Sequence, residues 1–168
     1  GDGFNPWPDF STYALLIVWE SAAAADRFLE TALYKEYQSK TTLIHTYFLR
    51  NLQAHGAWSG LNPFRKTSTA FSDTFPIAVI TRATIKLSKL RTFWKYVPTS
   101  SRPIADQEGL LFTKGIGEVP VTQMATFSVW KSIDDLKKYA YQSKEHKQAI
   151  KMTRDLKWYR EELFSRFI

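Results

Sequence analysis

Cysteine is absent from this 168-residue chain, which excludes disulfide bonds and cysteine-ligated metal sites. Every apolar run is far shorter than the roughly 20 residues that a membrane-spanning helix requires. The first residues, GDGFNPWPDF, contain neither the basic region nor the apolar segment of a secretory signal peptide. We therefore expect a cytoplasmic protein, and peripheral contact with a membrane stays open.

The motifs of the common enzyme classes are also missing. The glycine pair Gly115 and Gly117 lacks the Walker spacing, and neither G-x-S-x-G nor H-E-x-x-H occurs in the chain. Ser59 has no histidine or aspartate near it in sequence, so it is a weak candidate nucleophile. The net charge of +7 is spread along the chain, and the lysine-rich run near the end is typical of a solvated helix face. Nucleic acid is therefore not an expected partner.

Aromatic residues, in contrast, are abundant. The chain is 44% hydrophobic and 15% aromatic, with six tryptophans and twelve phenylalanines. A chain of this length forms one compact domain, or two small halves that share a core. This composition predicts a roomy interior lined by aromatic side chains.

The first half reads as strand, helix, strand and loop. Tyr13–Trp19 is apolar at every position, which predicts a strand covered on both faces. Ser21 is a good helix cap before a helix over Ala22–Gln38. The β-branched and aromatic stretch Thr42–Leu49 predicts the next strand. Asn51–Thr74 is predicted to be a long loop, and such loops are often functional.

The second half reads as β-α-β-β-α-β, which is the ferredoxin-like plan and places the chain in the α+β class. The segment before its last predicted helix, Trp130-Lys131-Ser132, has the same pattern of tryptophan, charged residue and serine as Trp19-Glu20-Ser21 in the first half. The predicted strands are Phe75–Ile85, Leu110–Ile116, Thr122–Trp130 and Glu162–Phe167, and the predicted helices are Leu87–Val97, stopped by Pro98, and Ile133–Leu156, capped by Ser132.

The predicted halves are residues 1–74 and 75–168, which together form one domain. The first half contains only the last three elements of the ferredoxin-like plan, β-α-β. A symmetric pair of halves needs an earlier β-α-β unit of roughly 40 residues. Either the chain is truncated at its N-terminus, which we favour, or its first half is naturally incomplete.

His146 is the histidine with the most plausible chemical role. With Leu136 at the centre of the apolar stripe, helical spacing places His146, Ser143 and Ile150 on one broad side, facing the sheet. There a neutral imidazole could bind a metal or a haem iron. The residues alone favour a histidine that is hydrogen-bonded at the helix edge. His45 is expected in the core of a strand, and His55 in a loop is either solvated or placed over a pocket.

Arg82 is a charge inside an otherwise apolar strand. It shares a strand face with Ala78 and Ile80, so its guanidinium needs a partner. The partner is either a protein carboxylate, which the residues alone favour, or the carboxylate of a ligand. The aromatic residues include both core and pocket members, and periodicity does not separate them.

Six parts of the sequence together carry a family resemblance: Gly56–Gly60 with Pro63-Phe64, Thr81–Ile85, Phe93–Pro98, Gly115–Pro120, Thr126–Trp130 and Trp158–Phe167. They resemble the spheroidene monooxygenases, a family of carotenoid-oxidising enzymes of purple bacteria. The resemblance runs in order along nearly the whole chain. It implies a dimeric-type α/β barrel made of two ferredoxin-like halves. It also implies a haem-dependent monooxygenase of carotenoid biosynthesis, which uses O₂ and an electron donor to introduce a keto group into an acyclic carotenoid.

The resemblance also suggests site residues. His146 lies where related barrel enzymes carry the proximal haem ligand, and Arg82 becomes a candidate partner for a haem propionate. The expected partners are an apolar substrate, O₂ and an electron donor, and a homo-oligomer stays open. Two other functions remain: a non-catalytic or cofactor-free barrel that binds an apolar molecule, and a cofactor-independent oxygenase. The expected substrate pocket is lined by aromatic residues, namely Trp58, Phe93, Trp94, Phe127, Trp130 and Trp158.

Overall fold

The computed structural model describes residues 9–66, 75–101, 104, 107–142 and 151–168. Two compact units divide the chain: Leu15–Phe48, and a larger unit made of Gly1–Ala14 and Leu49–Ile168. The predicted division at residue 74 falls within 67–74, which lies outside the described residues.

The smaller unit contains two short helices, α1 (Ala22–Leu29) and α2 (Ala32–Lys40). The Ser21 hydroxyl caps α1 as predicted, by accepting a hydrogen bond from the Ala24 amide. The prediction of one helix was wrong, because the Thr31 hydroxyl accepts from the Tyr34 amide at 3.2 Å and starts a second helix.

The predicted strands Tyr13–Trp19 and Thr42–Leu49 are absent from the described structure, so these predictions were wrong. Their backbones form no ladder with any strand among the described residues. A strand needs a neighbour to satisfy its backbone groups, whatever its side-chain pattern. Their apolar side chains are correspondingly exposed, with Tyr13 at 83% and Leu43 at 71%.

The larger unit contains an antiparallel sheet of five strands in the order β1-β5-β2-β4-β3. Strands β2 to β5 with the helices between them form the predicted ferredoxin-like β-α-β-β-α-β unit, and the α+β class is confirmed. The strands are β1 (Asn51–Gly56), β2 (Ile77–Ile85), β3 (Leu110–Val119), β4 (Gln123–Trp130) and β5 (Tyr159–Phe167).

The helices of this unit are α3 (Leu90–Ser101), which follows a short 3₁₀ turn, and α4 (Ile133–Gln142). Residues 151–156 are also helical. The prediction that Pro98 stops α3 was wrong, since the helix continues to Ser101 although a proline removes one backbone hydrogen bond. Ser132 caps α4 as predicted, accepting from the Asp135 amide at 3.2 Å. None of the described helices is long and apolar enough to cross a membrane.

Strand β1 lies inside the stretch that was predicted to be a loop. Its sequence, NLQAHG, has little β propensity, and it is held by pairing with β5. The Asn51 amide fills a bulge at the start of this pairing, where it donates to the backbone oxygen of Gln53 and to Ser165. At the other end, Gly56 has φ +88° and an added Cβ would lie 2.0 Å from the Glu162 carbonyl oxygen.

The sheet has two buried faces, and β2 supplies both of them. On the face that we call the helix face, Ile77 and Val79 pack under α4, and Ile85 packs under α3. On the other, which we call the Arg82 face, Ala78 and Ile80 pack with Phe167 and with partly buried aromatic residues. Eight of the nine β2 residues are buried. This agrees with the sequence of the strand, in which polar and apolar residues do not alternate as they do in a strand with one face in water.

Candidate functional site

Arg82 lies at the centre of the sheet, on the Arg82 face of β2. It is only 2% exposed, so its charge needs compensation from nearby groups. Its Nε donates to Glu118 Oε2 at 2.9 Å, one terminal nitrogen pairs with Glu161, and the other donates to Gln123 Oε1 at 3.1 Å. The guanidinium is therefore surrounded by protein acceptors, as the favoured structural interpretation of this residue predicted.

The two carboxylates reach Arg82 from different strands. Glu118 lies near the end of β3, and Glu161 lies on β5, which is adjacent to β2. One guanidinium thus holds β2, β3 and β5 together through ionic hydrogen bonds, the strongest class of side-chain hydrogen bond.

Glu161 also binds the turn that follows β1. The backbone amides of Ser59 and Gly60 donate to its two carboxylate oxygens at 2.8 and 2.6 Å. Both turn residues have positive φ values, 55° and 83°, which aim successive amides at one anion. These amides, with a smaller contribution from Arg82, lower the pKa of Glu161 below its usual value.

Trp58 completes the arrangement. Its indole Nε1 donates to Glu118 Oε1 at 3.0 Å, and its ring lies 5.5 Å from the Arg82 guanidinium carbon, within cation–π distance. We call the five side chains Trp58, Arg82, Glu118, Gln123 and Glu161 the Arg82 network.

Beside this network, the Arg82 face continues as a partly buried apolar surface over β3 and β4. Phe112 and Phe127 lie with ring centroids 6.0 Å apart, and Lys114 lies between the apolar positions of β3 on the same face. We call this surface the aromatic strip; its apolar members are Phe112, Ile116, Phe127 and Val129, each partly buried.

The predicted pocket residues lie on both sides of the sheet. Trp58 and Phe127 belong to the Arg82 face. Phe93 and Trp94 belong to α3 and pack with Trp158 between this helix and the sheet, and Phe93 and Trp158 are each 1% exposed. Trp130, also 1% exposed, stacks on Tyr139 at 5.1 Å under α4. These last four are packed into the core of the helix face, and the six residues do not share one pocket.

The three histidines are separated in the chain. His146 lies within residues 143–150, outside the described residues. His55 is on β1, where its Nε2 lies 2.6 Å from Gln53 Nε2, and it lines a cavity of 440 Å³ with Phe64 and Lys66. His45 is in the smaller unit, where it is exposed and belongs to no strand, so its predicted place in the core of a strand was wrong.

A haem propionate does not fit at Arg82. Arg82 is buried and its guanidinium already pairs with two carboxylates, so a third carboxylate would meet their like charges with little water to screen them. Within residues 9–66, 75–101, 107–142 and 151–168, no three His, Cys, Asp or Glu side chains are grouped as metal ligands.

Sequence reasoning singled out Arg82 but missed its partners. A buried arginine signals a carboxylate nearby, yet the spacing along the chain does not say which one. Glu118 and Glu161 are 36 and 79 residues from Arg82. Both fall in the segments that carry the family resemblance, which was the only signal for them.

Other proteins of known structure share the fold of this chain. Its fold is that of the ferredoxin-like α+β proteins: a proposed monooxygenase from Fusobacterium nucleatum aligns over 89% of this chain and 65% of its own, with a TM-score of 0.50 and 14% sequence identity. No family model matches the sequence.

Two curated relatives identify the family. Spheroidene monooxygenase of Rhodobacter capsulatus is 32% identical over 99% of this chain and 70% of its own length. Spheroidene monooxygenase of Cereibacter sphaeroides is 36% identical over 99% of this chain and 52% of its own length. The chain belongs to the spheroidene monooxygenase family, and it spans about half the length of the second relative.

Proposed function

We propose that this protein is a monooxygenase that oxidises an acyclic carotenoid, with spheroidene as the first substrate to test. The observation that carries the proposal is the 32–36% identity to three spheroidene monooxygenases along 99% of the chain. At that identity a shared fold and a related chemistry are expected, whereas the substrate is a separate question.

The reaction consumes O₂ and electrons. Conversion of a methylene group to a ketone takes two O₂ molecules, four electrons and four protons, and releases three water molecules. A hydroxylated intermediate forms after the first O₂ and the first two electrons. These electrons come from an external donor, because every keto group formed consumes four of them.

The role of the described residues is to bind and orient an apolar chain. The aromatic strip offers a surface of aromatic and aliphatic side chains on which a polyene gains apolar contact. The Arg82 network closes one end of that surface with charges that are already paired within the protein.

Haem is part of the proposal through the family resemblance, and His146 would hold its iron. Bound haem would supply the activation of O₂. Arg82 is not part of this proposal, because its charge is already paired with Glu118 and Glu161.

The decisive experiment is a reconstituted reaction. The protein is purified from haem-supplied cells and incubated with spheroidene, a reductant system and ¹⁸O₂, and the products are analysed by mass spectrometry. We expect a keto carotenoid that carries ¹⁸O. Failure to oxidise spheroidene or other acyclic carotenoids, by protein that binds them, would leave the non-catalytic carotenoid-binding function instead.

The cofactor is tested separately by absorption spectroscopy. We expect a Soret band in the purified protein, and a changed or absent band in His146→Ala. An unchanged band in that variant would remove His146 as the ligand. Oxygen incorporation by protein without any Soret band would show that the reaction needs no haem, and the same activity in protein that also lacks bound metal and flavin would establish a cofactor-independent oxygenase.

A further inference from the structure

The turn that carries Trp58 is bound to the sheet by more contacts than a connecting turn needs. Ala57 donates its amide to the Glu162 carbonyl at 2.9 Å, and Trp58 and Leu61 form an isolated antiparallel bridge. Ser59 and Gly60 add the two amide hydrogen bonds to Glu161. The backbone on each side of Trp58 is therefore fixed to β5.

The indole itself is fixed independently of its backbone. Its nitrogen is bonded to Glu118 on β3 and its face lies over Arg82 on β2. The remaining surface of the ring packs with the apolar residues of the Arg82 face, and Trp58 stays only partly buried. The ring thus has a defined orientation while part of its surface remains accessible.

Buried charge pairing of this kind contributes little net stability by itself. Removing two carboxylates and a guanidinium from water offsets much of their attraction, and apolar residues of similar size often stabilise a core as well. A network of this kind does, however, hold its members in one geometry. Of its two carboxylates, Glu118 binds the indole of Trp58, and Glu161 binds the turn that carries Trp58.

We infer that Trp58 is a specificity-determining contact for the apolar substrate, and that Arg82, Glu118 and Glu161 are positioning residues that hold it. The inference rests on the proposed function. Trp58 lies on the same face as Phe127, so a long apolar chain on the aromatic strip reaches the indole at the end nearest Arg82. A tryptophan offers such a chain a large rigid surface at little entropic cost.

The experiment measures carotenoid binding and turnover in the same variants. Binding of spheroidene, delivered in detergent micelles, is followed by quenching of tryptophan fluorescence, and turnover by product formation. We expect Trp58→Ala to raise KM and the dissociation constant about tenfold, with kcat changed less than about threefold, because the contact is made in both the ground and transition states. Trp58→Phe keeps an aromatic face and should recover most of the affinity.

The positioning role is tested by Arg82→Gln and Arg82→Lys in both the wild-type and Trp58→Ala backgrounds. Arg82→Gln should weaken binding in the wild-type background and add little to Trp58→Ala, since both changes remove the same oriented ring. Arg82→Lys retains the charge but loses the planar guanidinium with its several donors, so its dissociation constant should lie between those of the wild type and Arg82→Gln. Tyr141→Ala, at an exposed aromatic on α4, is the control that should leave KM unchanged.

Two results would overturn the inference. One is an active enzyme in which a folded Trp58→Ala variant binds and turns over spheroidene as wild type does. The other is full additivity of Arg82→Gln with Trp58→Ala, which would give Arg82 a role unrelated to the indole. A wild-type protein that neither binds nor oxidises any acyclic carotenoid would instead reject the proposed function, and the two failures are therefore distinguishable.

Discussion

Replacing Arg82 by methionine is the sharpest test of how the sheet is held together. Methionine retains the length of the side chain and fits a core, but it leaves Glu118 and Glu161 facing a buried apolar group. Breaking a buried ion pair by removing one partner costs about 3–5 kcal/mol. Because the carboxylate side chains are 33% and 20% exposed, water replaces part of the lost pairing. We therefore expect a loss near the lower end, about 3 kcal/mol.

The measurement is urea denaturation followed by tryptophan fluorescence, with thermal unfolding as a second method. A loss of about 3 kcal/mol should lower the Tm by roughly 6–12 °C in a chain of this size. Lys137→Met is the matched control, because Lys137 makes an exposed pair with Asp134 at 3.4 Å and should change stability by less than about 0.5 kcal/mol. If Arg82→Met cost no more than this control, the network would not be holding the strands.

Other consequences of the structure can be measured in the same way. Gly60→Ala should cost about 1–2 kcal/mol, since φ is positive but the added methyl meets open space. Gly56→Ala should cost clearly more, because its methyl would overlap the Glu162 carbonyl; equal losses would contradict this. Burial raises the pKa of Tyr159 to about 12, so its contribution to the free energy of unfolding, up to about 3 kcal/mol, is complete below pH 10 and is lost as the pH rises towards 12. Tyr159→Phe should remove that alkaline loss. The pKa of Glu161 is lowered, so its contribution to stability is present above the ordinary pKa of a glutamate and is lost as the pH falls below that value. Glu161→Gln should reduce this loss of stability in acid.

The ferredoxin-like unit was predictable because its local signals agree with one another. Ser132 caps α4, and the uninterrupted apolar run of β2 indicates a strand buried on both faces. The same reasoning failed for Tyr13–Trp19, whose pattern is equally apolar. An apolar pattern shows that a segment is able to bury its side chains. Whether the segment forms a strand depends on its pairing with another strand.

The candidate site was only half predictable for a related reason. Arg82 stood out because a charge in an apolar strand needs a partner. Aromatic residues did not separate into core and surface, because Trp58 and Trp158 look alike in sequence and lie on opposite faces of the sheet.

Composition and local pattern in the sequence alone therefore determined three things: the absence of cysteine chemistry, the β-α-β-β-α-β order, and the need of Arg82 for a counter-charge. Tertiary structure alone decided that Glu118 and Glu161 meet that need and that Trp58 is fixed between them. These partners lie tens of residues apart. Strand register brings them together, and register is set by pairing between distant segments, which no spacing along the chain records.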